Sequence, residues 1–156
     1  MFAVLLFVSC TNKLAPVKTA PILNTYPTSK SIDDAWSTAL QFFKDKQIEL
    51  QYADKSNGYI ITGPVKISWK LKQSEEKLSP SGAEVMILNE GDNDSLKGKI
   101  VTARYKVKIS QTDGKTVLVP SIEDIRIVEH TYDKQITTAI CKSTGSFEKN
   151  FVSLMN

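Results

Sequence analysis

The sequence predicts an α+β domain of two layers: an antiparallel sheet of four or five strands, covered on one face by an N-terminal and a C-terminal helix. Three observations predict it. Apolar residues recur at helical spacing over 32–43 and again, near the end, over 136–155. Between these stretches, segments such as 48–53 and 100–110 alternate apolar and polar residues at strand spacing. An alternating sheet has a single apolar face to bury, and two amphipathic helices supply its cover.

Met1–Val8 is an uninterrupted apolar run that ends at Ser9-Cys10 and gives way to Thr11-Asn12-Lys13. A run this short is a secretory signal segment rather than a membrane span, which needs about 20 residues. Phe7-Val8-Ser9-Cys10 resembles a bacterial lipobox. That resemblance implies cleavage before Cys10, lipidation of its sulfur, and a membrane anchor. Thr11 in place of Asp after the cysteine implies, by similarity to enteric lipoproteins, an outer-membrane address facing the periplasm. Residues 10–30 carry Pro16, Pro21 and Pro27 among Thr, Ser and Asn without a period, and are expected to form an extended tether. The folded domain is expected over 31–156.

Ser31 opens the first helix as N-cap, with Asp34 placed to return the bond and Asp33 and Asp34 complementing the helix dipole. Ile32, Trp36, Ala39, Leu40 and Phe43 form the buried stripe, widened by Ala35 and Phe42, and the helix ends near Lys46. Ile48–Ala53 reads as a half-buried strand with Ile48, Leu50 and Tyr52 inward. Asn57-Gly58 marks a turn, Tyr59–Thr62 a second strand, and Gly63-Pro64 a bend. Ile67, Trp69 and Leu71 then alternate with Ser68, Lys70 and Lys72. Ala83–Leu88 is compatible with a short strand between loop signals. Ile100–Ser110 is the clearest strand, with Val101, Ala103, Tyr105, Val107 and Ile109 on one side. Asp113-Gly114 turns the chain into a returning strand whose Pro120 demands an edge position or a bulge. The terminal stripe is Ile136, Ala139, Ile140, Phe147, Phe151, Leu154 and Met155, with Gly145 a kink or restart and Ser146 a possible new cap.

The pattern Ala35-Trp36, Leu40, Phe42-Phe43, then Ile48-Glu49-Leu50, then Asp54-Lys55, Gly58 and Ile60 resembles the opening of small bacterial lipoprotein domains. These include the BamC (NlpB)-like lipoproteins of outer-membrane β-barrel assembly and the DUF4468-type lipoproteins of Bacteroidetes. The resemblance covers roughly 31–62, with weaker support over 100–155. It implies a helix-grip or TBP-like fold and an envelope location, and it carries no functional residues with it.

The chain has 156 residues, 41% hydrophobic and 24% charged, which suits one domain with a real core. The net charge of +3 is too small to argue for nucleic acid, and no nucleic-acid partner is expected. Acid is concentrated centrally, with Glu75, Glu76, Glu84, Glu90, Asp92 and Asp94 against Lys77 and Lys97, so the remainder is basic. His130 is the single histidine and has no nucleophile elbow to serve. Asp92-Asn93-Asp94 lacks the spacing of a calcium loop. Two cysteines and one histidine cannot build a zinc site. No enzyme activity, cofactor or metal is expected. Cys141 reads as a small, semi-buried helix residue.

Two binding readings remain. Lys70, Lys72, Arg104, Lys106 and Lys108 share outward parity on two strands. Were those strands paired, they would form a cationic face for an envelope protein partner. Alternatively, Trp36, Trp69, Tyr105 and Phe147 would line a cavity between sheet and helix for a small apolar ligand or lipid.

Overall fold

The computed structural model describes residues 24–71, 83–88, 100–128 and 141–156. In chain order the elements are β1 (Tyr26–Thr28), α1 (Ile32–Asp45), β2 (Leu50–Asp54), β3 (Tyr59–Thr62), β4 (Val65–Ile67), β5 (Trp69–Leu71), β6 (Val85–Ile87), β7 (Ile100–Thr112), β8 (Lys115–Val128), β9 (Cys141–Ser143) and α2 (Ser146–Ser153). The protein is α+β, with mostly antiparallel strands and two helices. Among the described residues the strands form two sheets rather than one sheet of four or five. A six-stranded sheet runs β1-β8-β7-β3-β2, with β4 also paired to β7. A second, three-stranded sheet runs β5-β6-β9.

The β7–β8 hairpin is the spine. Val101, Ala103, Tyr105, Val107 and Ile109 of β7 are all buried, as their alternation predicts. Asp113 and Gly114 both have positive φ, 51° and 75°, which is the two-residue type I′ turn that matches strand twist. It sets Thr112 opposite Lys115 and holds register as far as Arg104 opposite Glu123. There β8 carries one extra residue, with Asp124 at φ 50°, and pairing resumes with Thr102 opposite Arg126. Pro120 causes no break. β1 pairs only with Thr116–Leu118, so the proline's missing N–H falls where β8 has no described outer neighbour.

The Asp54–Gly58 turn makes the second hairpin, β2–β3, and sets it against β7. Gly58 has φ 70°, and its carbonyl oxygen accepts a hydrogen bond from Ile109 N at 2.8 Å. Only a residue without Cβ allows that approach, because a Cβ there would lie 2.0 Å from the Ile109 carbonyl oxygen. In β2 the register shifts between Leu50 and Tyr52. The shift turns Tyr52 outward, where it is 45% exposed, so the expected inward alternation ends at Leu50.

The α1 helix begins as expected: Ser31 Oγ accepts from Asp34 N at 3.1 Å and donates to Asp34 Oδ2 at 2.7 Å. Its face of Ala35, Trp36, Ala39, Phe42 and Phe43 is buried. Phe43 stacks on Tyr105 of β7, with centroids 6.3 Å apart, and meets Phe151 of α2 at 6.1 Å. Phe147 of α2 stacks on Tyr105 at 4.2 Å. The two helices therefore share one aromatic cluster over the inward face of β7.

Several expectations are corrected and one is met. Tyr26–Thr28 belongs to the sheet, not to the tether, and Thr28 Oγ1 donates to the Met155 carbonyl at 2.6 Å. The alternation from Val65 to Leu71 is divided at Ser68, so that β4 joins β7 while β5 lies parallel to β6 in the other sheet. Val85–Ile87 is the short strand that 83–88 allowed, buried at all three positions. Cys141–Ser143 is also a strand, antiparallel to β6, so Cys141 is not a helix residue. The helix starts afresh after Gly145, whose φ of 82° makes it the N-cap in place of Ser146. Leu154 is 52% exposed and leaves the buried stripe.

Candidate functional site: the sheet face opposite the helices

With both helices on the Tyr105 side, alternation puts Arg104, Lys106 and Lys108 of β7 on the opposite face. Tyr59 and Ile61 of β3 lie beside them, opposite Lys108 and Lys106. Tyr52, opposite Ile61, completes a band of half-buried or exposed apolar and aromatic side chains. Lys66 of β4 faces Thr102 at the other end.

The cations on this face are held by neighbours. Lys106 Nζ reaches Glu123 Oε1 at 3.1 Å, and both lysine ammoniums, of Lys106 and Lys108, stand 5.5 Å from the Tyr59 ring centroid. Arg104 donates to the side-chain oxygen of Gln51. Its Nε is sealed from solvent without a hydrogen-bond partner among the described residues, and Asp124 Oδ2 at 3.3 Å balances its charge at ion-pair distance only. Asp124 Oδ1 also accepts from Arg126 Nε at 2.9 Å. Partly exposed pairs of this kind contribute about 0.2–1 kcal/mol each. Their larger effect is to fix long side chains in place and to offset part of the charge of the face.

The turn beside this band is rigid. Asp54 accepts hydrogen bonds from the Ser56 and Asn57 backbone and side chains and from the Tyr52 hydroxyl at 2.9 Å. Those bonds, Ser56 first, hold its carboxyl well below the usual carboxylate range. The same contact with Asp54 raises the Tyr52 hydroxyl above its ordinary value.

The structure does not gather the five expected cations. Arg104, Lys106 and Lys108 share one face. Lys70 sits on β5, which pairs with β6 and not with β7, because the chain changes sheets at Ser68. Lys72 lies outside the described residues, as do Cys10, His130 and Asp92–Asp94. The expected cavity lining is core instead. Trp36, Tyr105 and Phe147 are at most 8% exposed, Trp69 packs against the same cluster, and Tyr105 and Phe147 stack directly on each other. A groove of about 420 Å³ among the described residues is open and lies elsewhere, between the ends of α1 and α2 at Phe42, Asp45, Lys46, Asn150, Ser153 and Leu154.

Sequence reasoning missed Tyr59, Tyr52, Glu123 and Asp124 as members of this face. Tyr52 lies beyond the β2 bulge, where the inward alternation ends, and Tyr59 joins the face through its pairing with Lys108. Glu123 was readable, since counting back from the Asp113-Gly114 turn brings it opposite Arg104, but the same count puts Asp124 opposite inward Ala103, and only the bulge turns it out. Among the described residues no three His, Cys, Asp or Glu side chains gather as metal ligands would, and no helix is long and apolar enough to cross a membrane. Cys141 is fully buried, and burial pushes its thiol up to about 11. No protein-family model matches the chain, and no curated protein matches it.

Proposed function

We propose that the protein is a non-enzymatic lipoprotein of the cell envelope, anchored through Cys10, that docks a protein partner on the sheet face opposite its helices. One observation carries the docking reading. Exposed Tyr52 and half-buried Tyr59 and Ile61 form a band on the face opposite the helices, beside Arg104, Lys106 and Lys108. Tyrosine and arginine are the side chains enriched in the buried centres of protein interfaces. The intramolecular pairing of Arg104 and Lys106 lowers the ordering cost of such a surface, because those side chains are already fixed. The lipobox-like Phe7-Val8-Ser9-Cys10 supports the anchor. The resemblance of residues 31–62 to BamC-like and DUF4468-type lipoproteins supports an envelope location and a helix-grip arrangement, with α1 lying against the sheet.

A photo-crosslinking residue placed in the native envelope tests this. Position 52 or 108 should yield a discrete adduct, while exposed position 41 on α1 should not. Equal adducts at all three positions, or none on the sheet face, would refute the docking reading. Cys10→Ser should release the chain from the membrane fraction; retention there would refute the anchor.

A further inference from the structure

The second sheet meets α2 at a buried carboxyl. Glu148 is the third residue of α2 and is 0% exposed. Its partner is the Ser143 hydroxyl of β9, 2.8 Å from one carboxyl oxygen and 3.0 Å from the other. Ser143 is itself buried, and its Oγ also accepts from Gly145 N at 3.1 Å. One hydroxyl hydrogen must be split between the two carboxylate oxygens, which leaves each less than fully satisfied. A neutral carboxyl satisfies both contacts: its carbonyl oxygen accepts from Ser143, and its own hydroxyl donates back.

The other groups that act on it compensate a charge only in part, its place in the first turn of α2 included. Burial is the largest influence and raises the Glu148 pKa, the negative Glu84 side chain before β6 adds to the rise, and only Glu148's own backbone N–H and Ser143 oppose it. Tyr105 of β7 turns its hydroxyl to Glu84 Oε1 at 2.6 Å, and α1 faces α2 with the rings of Phe42 and Phe43. Among the described residues no cation forms an ion pair with Glu148. An ionised carboxylate in such a place costs several kcal/mol.

We propose that Glu148 is a proton-dependent latch: its neutral carboxyl, shared with Ser143, holds α2 against the sheets, and loss of the proton releases the helix and uncovers the aromatic cluster beneath it. The cluster so uncovered is Phe42, Phe43 and Tyr105, against which Phe147 and Phe151 pack when α2 is docked. The direction follows from linkage. The docked state binds the proton more tightly than the open state. Docking is therefore complete below the open-state value of about 4.3 and weakens as pH rises towards the docked-state value.

Amide hydrogen exchange of the full chain between pH 4 and 8 tests the latch, with each rate divided by the intrinsic rate at that pH. In the wild type, protection of 146–153 should fall by up to about tenfold per pH unit across the window, while the β7–β8 hairpin stays constant. Glu148→Gln, which mimics the neutral carboxyl, should keep α2 protected and remove the pH dependence. A flat wild-type profile, or the same slope in Glu148→Gln, overturns the proposal. Should the variant fail to fold, carbon-13 titration of the Glu148 carboxyl in the wild type decides. A midpoint above the ordinary glutamate value supports the latch, and one at or below it overturns it.

Discussion

Replacing Gly58 by alanine tests whether the two hairpins are locked by backbone contact rather than by side-chain packing alone. Gly58 stands at φ 70°, a region that costs an L residue about 1–2 kcal/mol. Its added Cβ would sit 2.0 Å from the Ile109 carbonyl oxygen, which is backbone of the paired β7–β8 hairpin, opposite Leu118, and cannot swing aside as a side chain could. β3 must then move off β7. The move breaks the 2.8 Å bond from Ile109 N to the Gly58 carbonyl, worth about 1 kcal/mol, and shifts backbone around Ile60 for a further 1–3 kcal/mol or so. We expect a loss of about 3–6 kcal/mol, a large share of the stability of a domain this size. Gly114→Ala is the control. Its φ is 75°, but an added Cβ meets nothing within 4 Å, so it should lose only the conformational part, about 1–2 kcal/mol. Urea denaturation followed by tryptophan fluorescence measures both, since Trp36 is buried. Equal losses in the two variants would refute the reasoning, because the close approach is what distinguishes them.

Three further outcomes follow from the geometry. Phe147→Ala should cost about 3–5 kcal/mol in thermal or urea unfolding, since its ring stacks on Tyr105 at 4.2 Å in a fully packed cluster, whereas Leu154→Ala, half exposed, should stay within about 0.5 kcal/mol. Asp54 is held below its ordinary value when folded, so its bonds to Ser56, Asn57 and Tyr52 stabilise above the unfolded value of about 3.9 and are lost as pH falls. A denaturation series from pH 6 to pH 2 should therefore steepen in acid for the wild type and flatten for Asp54→Ala. Cys141, buried with its thiol pushed up to about 11, should resist alkylation at pH 8 until denaturant is added; rapid stoichiometric labelling of the native protein would contradict its placement in β9.

Local signals in the chain were legible to the residue. Ser31 caps α1, Tyr59–Thr62 is a strand, Asp113-Gly114 is the turn, and the five alternating apolar residues of β7 are all inward. What was hidden depends on partners distant in sequence. The alternation through Ile67, Trp69 and Leu71 is continuous, yet Ser68 divides it between two sheets, because β4 finds β7 and β5 finds β6. Periodicity reports which side is buried but not against which strand. Cys141–Ser143 shows the same blindness, since a short apolar-polar-small triplet beside a helix pattern reads as helix until β6 supplies its edge. Tyr26–Thr28 is likewise a strand only because β8 leaves Thr116–Leu118 open for it.

The candidate site was read by parity and changed by register. Parity correctly put Arg104, Lys106 and Lys108 on one face, but the next strand brings Glu123 and Asp124 beside them, which offsets part of that charge and fixes Arg104 and Lys106 in place. The hairpin turn dictates that meeting, and the bulge at Asp124 aims its carboxylate at Arg104 and Arg126 together. The same device on the other side, the β2 bulge, turns Tyr52 outward beside Ile61 and Tyr59. Two irregularities in pairing thus convert what alternation predicts as a charged, solvated face into a partly neutralised, side-chain-fixed surface with tyrosine at its centre. Of the two surfaces, the second has the lower ordering cost and the tyrosine that protein interfaces favour.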